Sequence, residues 1–268
     1  MYYQALHGKK ITPEHQDRLC DRNWIRTNAD HIYKDKVNIV AEFELEINGI
    51  RQPLVIKWFG WRNRISQWLS PVMRSRAKKS WDASLSLLKR GIKVPEPLAV
   101  YTQRCFGFIR CNFLLTKKIE NYILARRWLR NSDARPADKK TIVATIAVMI
   151  QKMHSGGMLH HDLTPGNFLV NNHDPADIAL IDLNRLKHKF FLTRALKMHD
   201  IAKLNLCQCG LTKDHPDCLW LLFLEKYDNE NLDRNKTALR SAIRRRKIRH
   251  AVKSMRKSSN QKKTMRSC

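Results

Sequence analysis

Two short stretches carry the residues whose types and spacing suit chemistry. LHHDLTPGNFLV at 159–170 sets a carboxylate, Asp162, five residues ahead of an amide, Asn167. IALIDLNR at 178–185 ends an apolar run on a second carboxylate, Asp182. Upstream, an apolar strand ends on Lys57. Phosphoryl transfer needs these types: a carboxylate beside the attacking hydroxyl, hard oxygen ligands for Mg²⁺ and a cation on the nucleotide phosphates. Asp162 is the expected base, or the group that orients the hydroxyl. Asn167 and Asp182 are the expected metal ligands, and Lys57 the expected contact to the α and β phosphates of ATP. A lone His-x-Asp is weak evidence and an Asp after a strand is usually a cap, but the four together, in this order, are specific.

The surrounding pattern supplies elements to position them. Residues 37–47 read as a strand, with charged and apolar residues alternating over its second half. Asn48-Gly49 signals a hairpin, and 50–59 returns with Leu54, Val55 and Ile56 leading into Lys57. Pro53 limits its pairing. Residues 74–90 predict a helix, with Trp81, Leu85 and Leu88 on one face, Gly91 as its stop, and Pro95 and Pro97 beyond. Two more strands follow at 98–101 and 107–116, then a polar stretch at 117–136. A long apolar helix is expected at 137–154, short strands at 168–171 and 178–181, and helix onward to about Tyr227. Residues 1–29 give no firm assignment. Strands first and helices afterwards predict an α+β chain in two lobes.

The chain has 268 residues, with 51 Lys and Arg against 24 Asp and Glu, a formal net charge of +27. Of these, 13 basic residues and no acid lie in 236–268, and the remainder keeps an excess of 14 positive charges. A partner rich in phosphate or carboxylate follows: nucleic acid, an anionic membrane face or an acidic glycolipid. For the tail itself, a solvated, partly disordered segment competes with a basic helix lying on a membrane, for which Leu239, Ala242, Ile243, Ile248, Val252 and Met255 give an imperfect stripe. At 43% hydrophobic residues, with 9 Gly and 9 Pro, the bulk is globular. No apolar run approaches the ~18 residues of a membrane span. Residues 1–19 show no signal core, and the seven cysteines have no framework spacing, so reduced thiols in a cytoplasmic protein are expected.

These segments resemble the protein-kinase-like superfamily and, within it, the bacterial lipopolysaccharide kinases of the Kdo/WaaP group. The resemblance runs from about Asp30 to Tyr227. It rests on Val55-Ile56-Lys57, Ser75-Arg76-Ala77, Trp81 and Ala83, the Leu87-Leu88 to Gly91-Ile92 stretch with Pro95 and Pro97, 113–116 (FLLT), and the two catalytic segments. It implies a bilobal fold, with a small antiparallel-sheet N-lobe holding one helix and a mainly helical C-lobe. The divisions are 1–29 as an extension, 30–117 and 118–235 as the lobes, and 236–268 as a basic tail. It further implies Mg-dependent use of ATP, held between lobes, to phosphorylate a Kdo or heptose hydroxyl of the lipopolysaccharide core at the cytoplasmic membrane face. An anionic glycolipid suits a basic protein, and a nucleic-acid partner is not expected.

Several positions depart from that pattern. Residues 30–37 contain no glycine, so backbone amides near His31–Lys34 would have to cradle the phosphates. Asp182-Leu183-Asn184 stands where protein kinases have Asp-Phe-Gly. His161 replaces the Arg that regulated kinases place before the catalytic Asp. Thr164 replaces the Lys of Ser/Thr protein kinases, which counts against a protein substrate. The Glu that pairs with the strand Lys falls at Ser80, and Asp82 is the one acid between Glu46 and Glu96. Ser80 and Asp82 are about 200° apart around a helix. Either the helix turns Asp82 toward Lys57, or Lys57 lacks this partner; Asp82 is the favoured candidate. The missing glycines and Glu motivate two alternatives, an atypical protein kinase and a degenerate kinase fold serving as a binding module on an anionic surface.

Among other residues, Asp200 is expected to anchor the catalytic loop by hydrogen bonds, and His160 to pack beneath it. Trp58, Trp61 and Trp68 are expected to serve packing before sugar stacking. Cys207, Cys209, His215 and Cys218 could clip a zinc ion, but Cys-x-Cys is unusual spacing and buried thiols with a loop His are favoured.

Overall fold

A computed structural model describes residues 2–5, 11–47, 50–61, 63–207, 209, 211 and 218–266. The turn expected at Asn48-Gly49 lies outside the described residues. The chain divides into two units, Met1–Tyr122 with Ala179–Leu186, and Ile123–Ile178 with Lys187–Cys268.

The first unit runs β1 (Tyr2–Ala5), α1 (Pro13–Cys20), α2 (Arg22–Asn28), β2 (His31–Asp35), β3 (Asn38–Ile47), β4 (Ile50–Phe59), α3 (Arg64–Trp68), α4 (Arg76–Leu88), β5 (Pro97–Cys105) and β6 (Phe108–Lys117). Its strands form one antiparallel sheet in the order β1-β5-β6-β4-β3-β2. Strand alternation gives the sheet two faces. On one, Phe59, Val100 and Leu114 pack with Ala77 and Trp81 of α4. On the other, Ile39, Ile56, Tyr101 and Phe113 pack with Leu19 of α1 and Ile25 of α2.

The unit holds α1, α2 and α3 beside α4 among its described residues, and it takes in residues 2–5 and 13–28, which were expected as an extension. One expectation needs correction. Cys20, at the end of α1, is joined by a disulfide to Cys111 on β6, where free thiols were expected. The two stand 91 residues apart, so no local spacing announces the pair.

Glycine is required at two turns. Gly91 has φ +66°, and the N–H of Ile92 reaches back to the Leu87 carbonyl at 3.0 Å, closing α4 and burying Ile92. At Gly60 a Cβ would fall 2.1 Å from the Val37 carbonyl, so the chain after β4 can pass the β2–β3 turn only as glycine.

The chain continues with β7 (Tyr122–Leu124), α5 (Ala125–Arg130), α6 (Pro136–Ser155), β8 (Met158–Leu159), β9 (Phe168–Asn171), β10 (Ile178–Leu180), β11 (Lys187–His188), α7 (Arg194–Ile201), α8 (Leu219–Asp228) and α9 (Leu232–Arg266), all in the second unit except Tyr122 and the segment Ala179–Leu186. Pro136 opens α6, whose Ile142, Val143, Ile146, Ile150 and Met153 are buried. The basic tail is helical: Leu239 and Ala242 of α9 are buried, Asn235 bonds Asp228 at 3.0 Å, and Arg246 donates to the Ala202 carbonyl at 2.8 Å. Farther along, Ile248, Val252 and Met255 are exposed. Among the described residues, no helix is long and apolar enough to cross a membrane.

Candidate active site

The first unit presents Lys57 from the middle of its sheet. Lys57 lies opposite Val40 on β3 and Leu114 on β6, and Lys34 on β2 lies opposite Val40. Cross-strand partners share a face, so Lys34 and Lys57 stand on the α4 side. The Lys57 ammonium lies 2.7 Å from Asp182 Oδ1. Burial lowers the Lys57 pKa below its ordinary value; Asp182 opposes that shift, while the charges of Lys34 and Arg76 add to it.

Asp82 does not pair with Lys57. It meets Arg74, and Lys78 at 2.8 Å, on the outer side of α4. The 200° separation explains this. Ala77, Ser80, Trp81 and Ser84 take the buried face, which leaves Asp82 facing away. The two serines turn back on their own helix, Ser80 to the Arg76 carbonyl and Ser84 to the Ser80 carbonyl, each at 3.0 Å. No acid on α4 is left for Lys57, and the ion pair goes to Asp182.

Asp182 sits in the left-handed region at φ 62°, just before the helical turn of 183–185. The preceding strand is fixed by the Leu180 N–H, which donates to the Lys93 carbonyl at 2.9 Å. Asn184 donates to Asp182 Oδ1 at 2.6 Å and so aims the carboxylate. Sequence reasoning did not select Asn184 as a site residue, although its place two residues after Asp182 is the signal. It also missed Arg76, whose guanidinium stacks 5.1 Å over the Phe59 ring and donates to the Gly60 carbonyl.

The second unit presents the loop carrying Asp162 and Asn167. The Asn167 amide nitrogen donates to the Asp162 carbonyl at 2.6 Å, which leaves its Oδ1 as an acceptor atom. Asp200 of α7, buried, accepts from the His160 N–H at 2.7 Å and the His161 N–H at 2.9 Å. This is the anchoring expected of it, and His161 is thereby held at φ 62°. His160 is fully buried, as expected. Behind Asp200 stand Lys203 at 3.2 Å and His154 at 3.7 Å, and His154 Nδ1 meets the Tyr227 hydroxyl at 2.9 Å. Burial would raise the Asp200 carboxyl, but His154 beside it, the Lys203 charge and the His160 amide hold it well below the carboxylate range. Burial pushes His154 below its ordinary value and Tyr227 above its own. His154 and Tyr227 were not foreseen: each reads as one more residue in an apolar helix.

Of the tryptophans, Trp58 is buried beneath Arg22, while Trp68 of α3 is exposed. His215 lies outside the described residues.

The described family of lipopolysaccharide kinases, Kdo/WaaP, matches residues 61–227. The lipopolysaccharide core heptose(I) kinase WaaP of Escherichia coli (strain K12) is 24% identical over 147 residues, which is 51% of this chain and 56% of that protein. The chain thus spans about half the length of that relative. A solved structure of WaaP in complex with acyl carrier protein has the same fold, with a TM-score of 0.60 at 18% identity, over 92% of this chain and 98% of that one.

Proposed function

The chain belongs to the lipopolysaccharide kinase (Kdo/WaaP) family, and from that premise we propose that it transfers the γ-phosphoryl group of ATP to a Kdo or heptose hydroxyl of the lipopolysaccharide core. The observation that carries this reading is the Lys57–Asp182 ion pair at 2.7 Å. It joins the two residues read independently as the phosphate-binding cation and a metal ligand. Lys57, with Lys34 nearby on the same face, holds the nucleotide phosphates. Asp162 orients the sugar hydroxyl and receives its proton as the new P–O bond forms and the bond to the leaving ADP breaks.

Each donor, taken within its own unit, suits a magnesium ion. Asp182 supplies a carboxylate aimed by Asn184, and Asn167 has its amide nitrogen engaged and its carbonyl oxygen left over. Bound with the nucleotide, that ion neutralises charge on the phosphates. The acceptor is an anionic glycolipid, which favours a peripheral position on the cytoplasmic face of the inner membrane. The basic residues of α9 suit an anionic surface there.

The test combines γ-labelled ATP, Mg²⁺ and dephosphorylated lipopolysaccharide core beside a generic protein acceptor, with Asp182→Ala as control. Label is expected on glycolipid and absent in the control. Label on protein would favour the protein-kinase alternative. Absence of both transfer and nucleotide binding would leave the binding module.

A further inference from the structure

Cys207, Cys209 and Cys218 were expected as buried thiols in preference to a zinc clip. The fold gathers them: all three sulfurs lie within 4.8 Å of one another, and those of Cys209 and Cys218 are 3.5 Å apart. A thiol is a weak donor and a weak acceptor, so three protonated thiols gain little from such crowding. A tetrahedral metal gains much. With Zn–S bonds of about 2.3 Å, its sulfurs stand about 3.8 Å apart, close to the spacing present.

The backbone around the cluster is arranged as a ligand scaffold. The Cys209 N–H donates to the Cys207 sulfur at 3.4 Å. Cys218 caps the start of α8, where its carbonyl accepts from the Leu221 N–H at 2.9 Å. Trp220 Nε1 holds the Cys207 carbonyl at 3.2 Å. The turn is then fixed at Leu211, which is fully buried at φ 63° and whose carbonyl accepts from Arg240 of α9. An amide aimed at the Cys207 sulfur and a turn fixed from two helices orient thiolates before a metal arrives.

We propose that Cys207, Cys209 and Cys218 form a structural zinc site, with the fourth position taken by a donor outside these three. Each thiol releases its proton on coordination and no electron is transferred. Soft sulfur ligands exclude Mg²⁺ and Ca²⁺, and a compact three-sulfur cluster suits tetrahedral zinc. The ion ties Cys207 and Cys209, which follow α7, to Cys218 at the start of α8. None of the three thiols belongs to the residues assigned to phosphoryl transfer.

The full chain, purified under reducing conditions without chelator, is analysed for metals by plasma mass spectrometry. About one zinc per chain is expected. Replacement by Co²⁺ should produce thiolate-to-metal charge-transfer absorption. The triple variant Cys207→Ser, Cys209→Ser, Cys218→Ser should lose both signals, and Cys105→Ser, which removes an exposed free thiol, should keep them. Should the triple variant fail to fold, alkylation of the wild-type chain decides: zinc should shield the three cysteines and leave Cys105 reactive. The proposal is overturned by a chain without zinc that takes up no Co²⁺, by zinc retained in the triple variant, by iron or copper in its place, or by equal alkylation with and without zinc.

Discussion

Lys57 and Asp182 meet side chain to side chain, 2.7 Å apart, at a place where the carboxylate keeps 30% of its surface in solvent. Asp200 in the second unit keeps 3%, and it grips backbone, the N–H groups of His160 and His161. Both regions hold a carboxylate against positive charge, yet they do different work. A partly exposed ion pair contributes little stability, and its members can exchange one another for a nucleotide phosphate or a metal. A buried carboxylate bonded to two amides cannot let go without leaving them unsatisfied. Under the proposed function the first region is the one to rearrange on binding, and the second keeps its loop in one conformation.

The largest effect should come from the residue the rigid loop displays. Asp162→Ala should lower transfer by about 10³–10⁴-fold, near the upper range for loss of a general base, while ATP binding persists. Single-turnover transfer beside nucleotide titration reads this, and retained turnover would remove Asp162 from its role. Lys57→Ala should weaken ATP binding and lower kcat/KM by about 10²–10³-fold. Its melting temperature should hardly move, because the pair it breaks is exchangeable; a large fall would contradict the contrast between the two regions.

Asp200→Ala should behave the other way. It should cost about 3 kcal/mol of stability through two lost charge-assisted bonds, measured by urea unfolding, with activity falling as the loop loses its hold. A variant as stable as the parent would break the comparison.

The smaller tests concern the groups behind Asp200. Burial lowers the His154 pKa. Its neutral form therefore contributes stability fully above about pH 6.5, and that contribution is lost as the pH falls toward the folded-state value. Melting temperature should drop on acidification from about pH 7.5 to 5.5, and His154→Gln should flatten that slope. Asp200 adds nothing to this window, since its depressed pKa moves its own loss below the ordinary carboxylate range. Tyr227→Phe should cost about 1 kcal/mol and leave the kinetics unchanged.

Much of this was legible in the residues. Spacing around Asp162, Asn167 and Asp182, together with the strand bearing Lys57, pointed to phosphoryl transfer, the stretch from Leu87 to Pro97 narrowed the resemblance to the family, and periodicity located β3, β4 and α4 within two or three residues. What escaped was of two kinds. Some elements carry too few apolar residues to show a period: α1 and α2 bury chiefly Leu19 and Ile25. Their caps were the readable signal, with Thr12 accepting from the His15 amide ahead of Pro13, and Asp21 accepting from the Asn23 amide. Other features exist only by virtue of long-range packing. The partner of Lys57 lies 125 residues away, Tyr227 lies 73 from His154, and Cys111 lies 91 from Cys20. No local rule reaches across such distances. The choice between Ser80 and Asp82 lies between these kinds: helix geometry stated the conflict, and burial of the serine face resolved it.

The return of residues 179–186 into the first unit bears on how the chain is made. A ribosome releases Tyr122 roughly sixty residues before Leu186, a lag of about 3–13 s at ordinary elongation rates. During that interval the sheet can form, but Lys57 has no Asp182 to meet and the Lys93 carbonyl no Leu180 amide. The sheet can thus form well before the unit that contains it is complete. Its last contacts close only after residues 123–178 have been synthesised, which makes the Lys57–Asp182 pair a late event in the folding of the first unit.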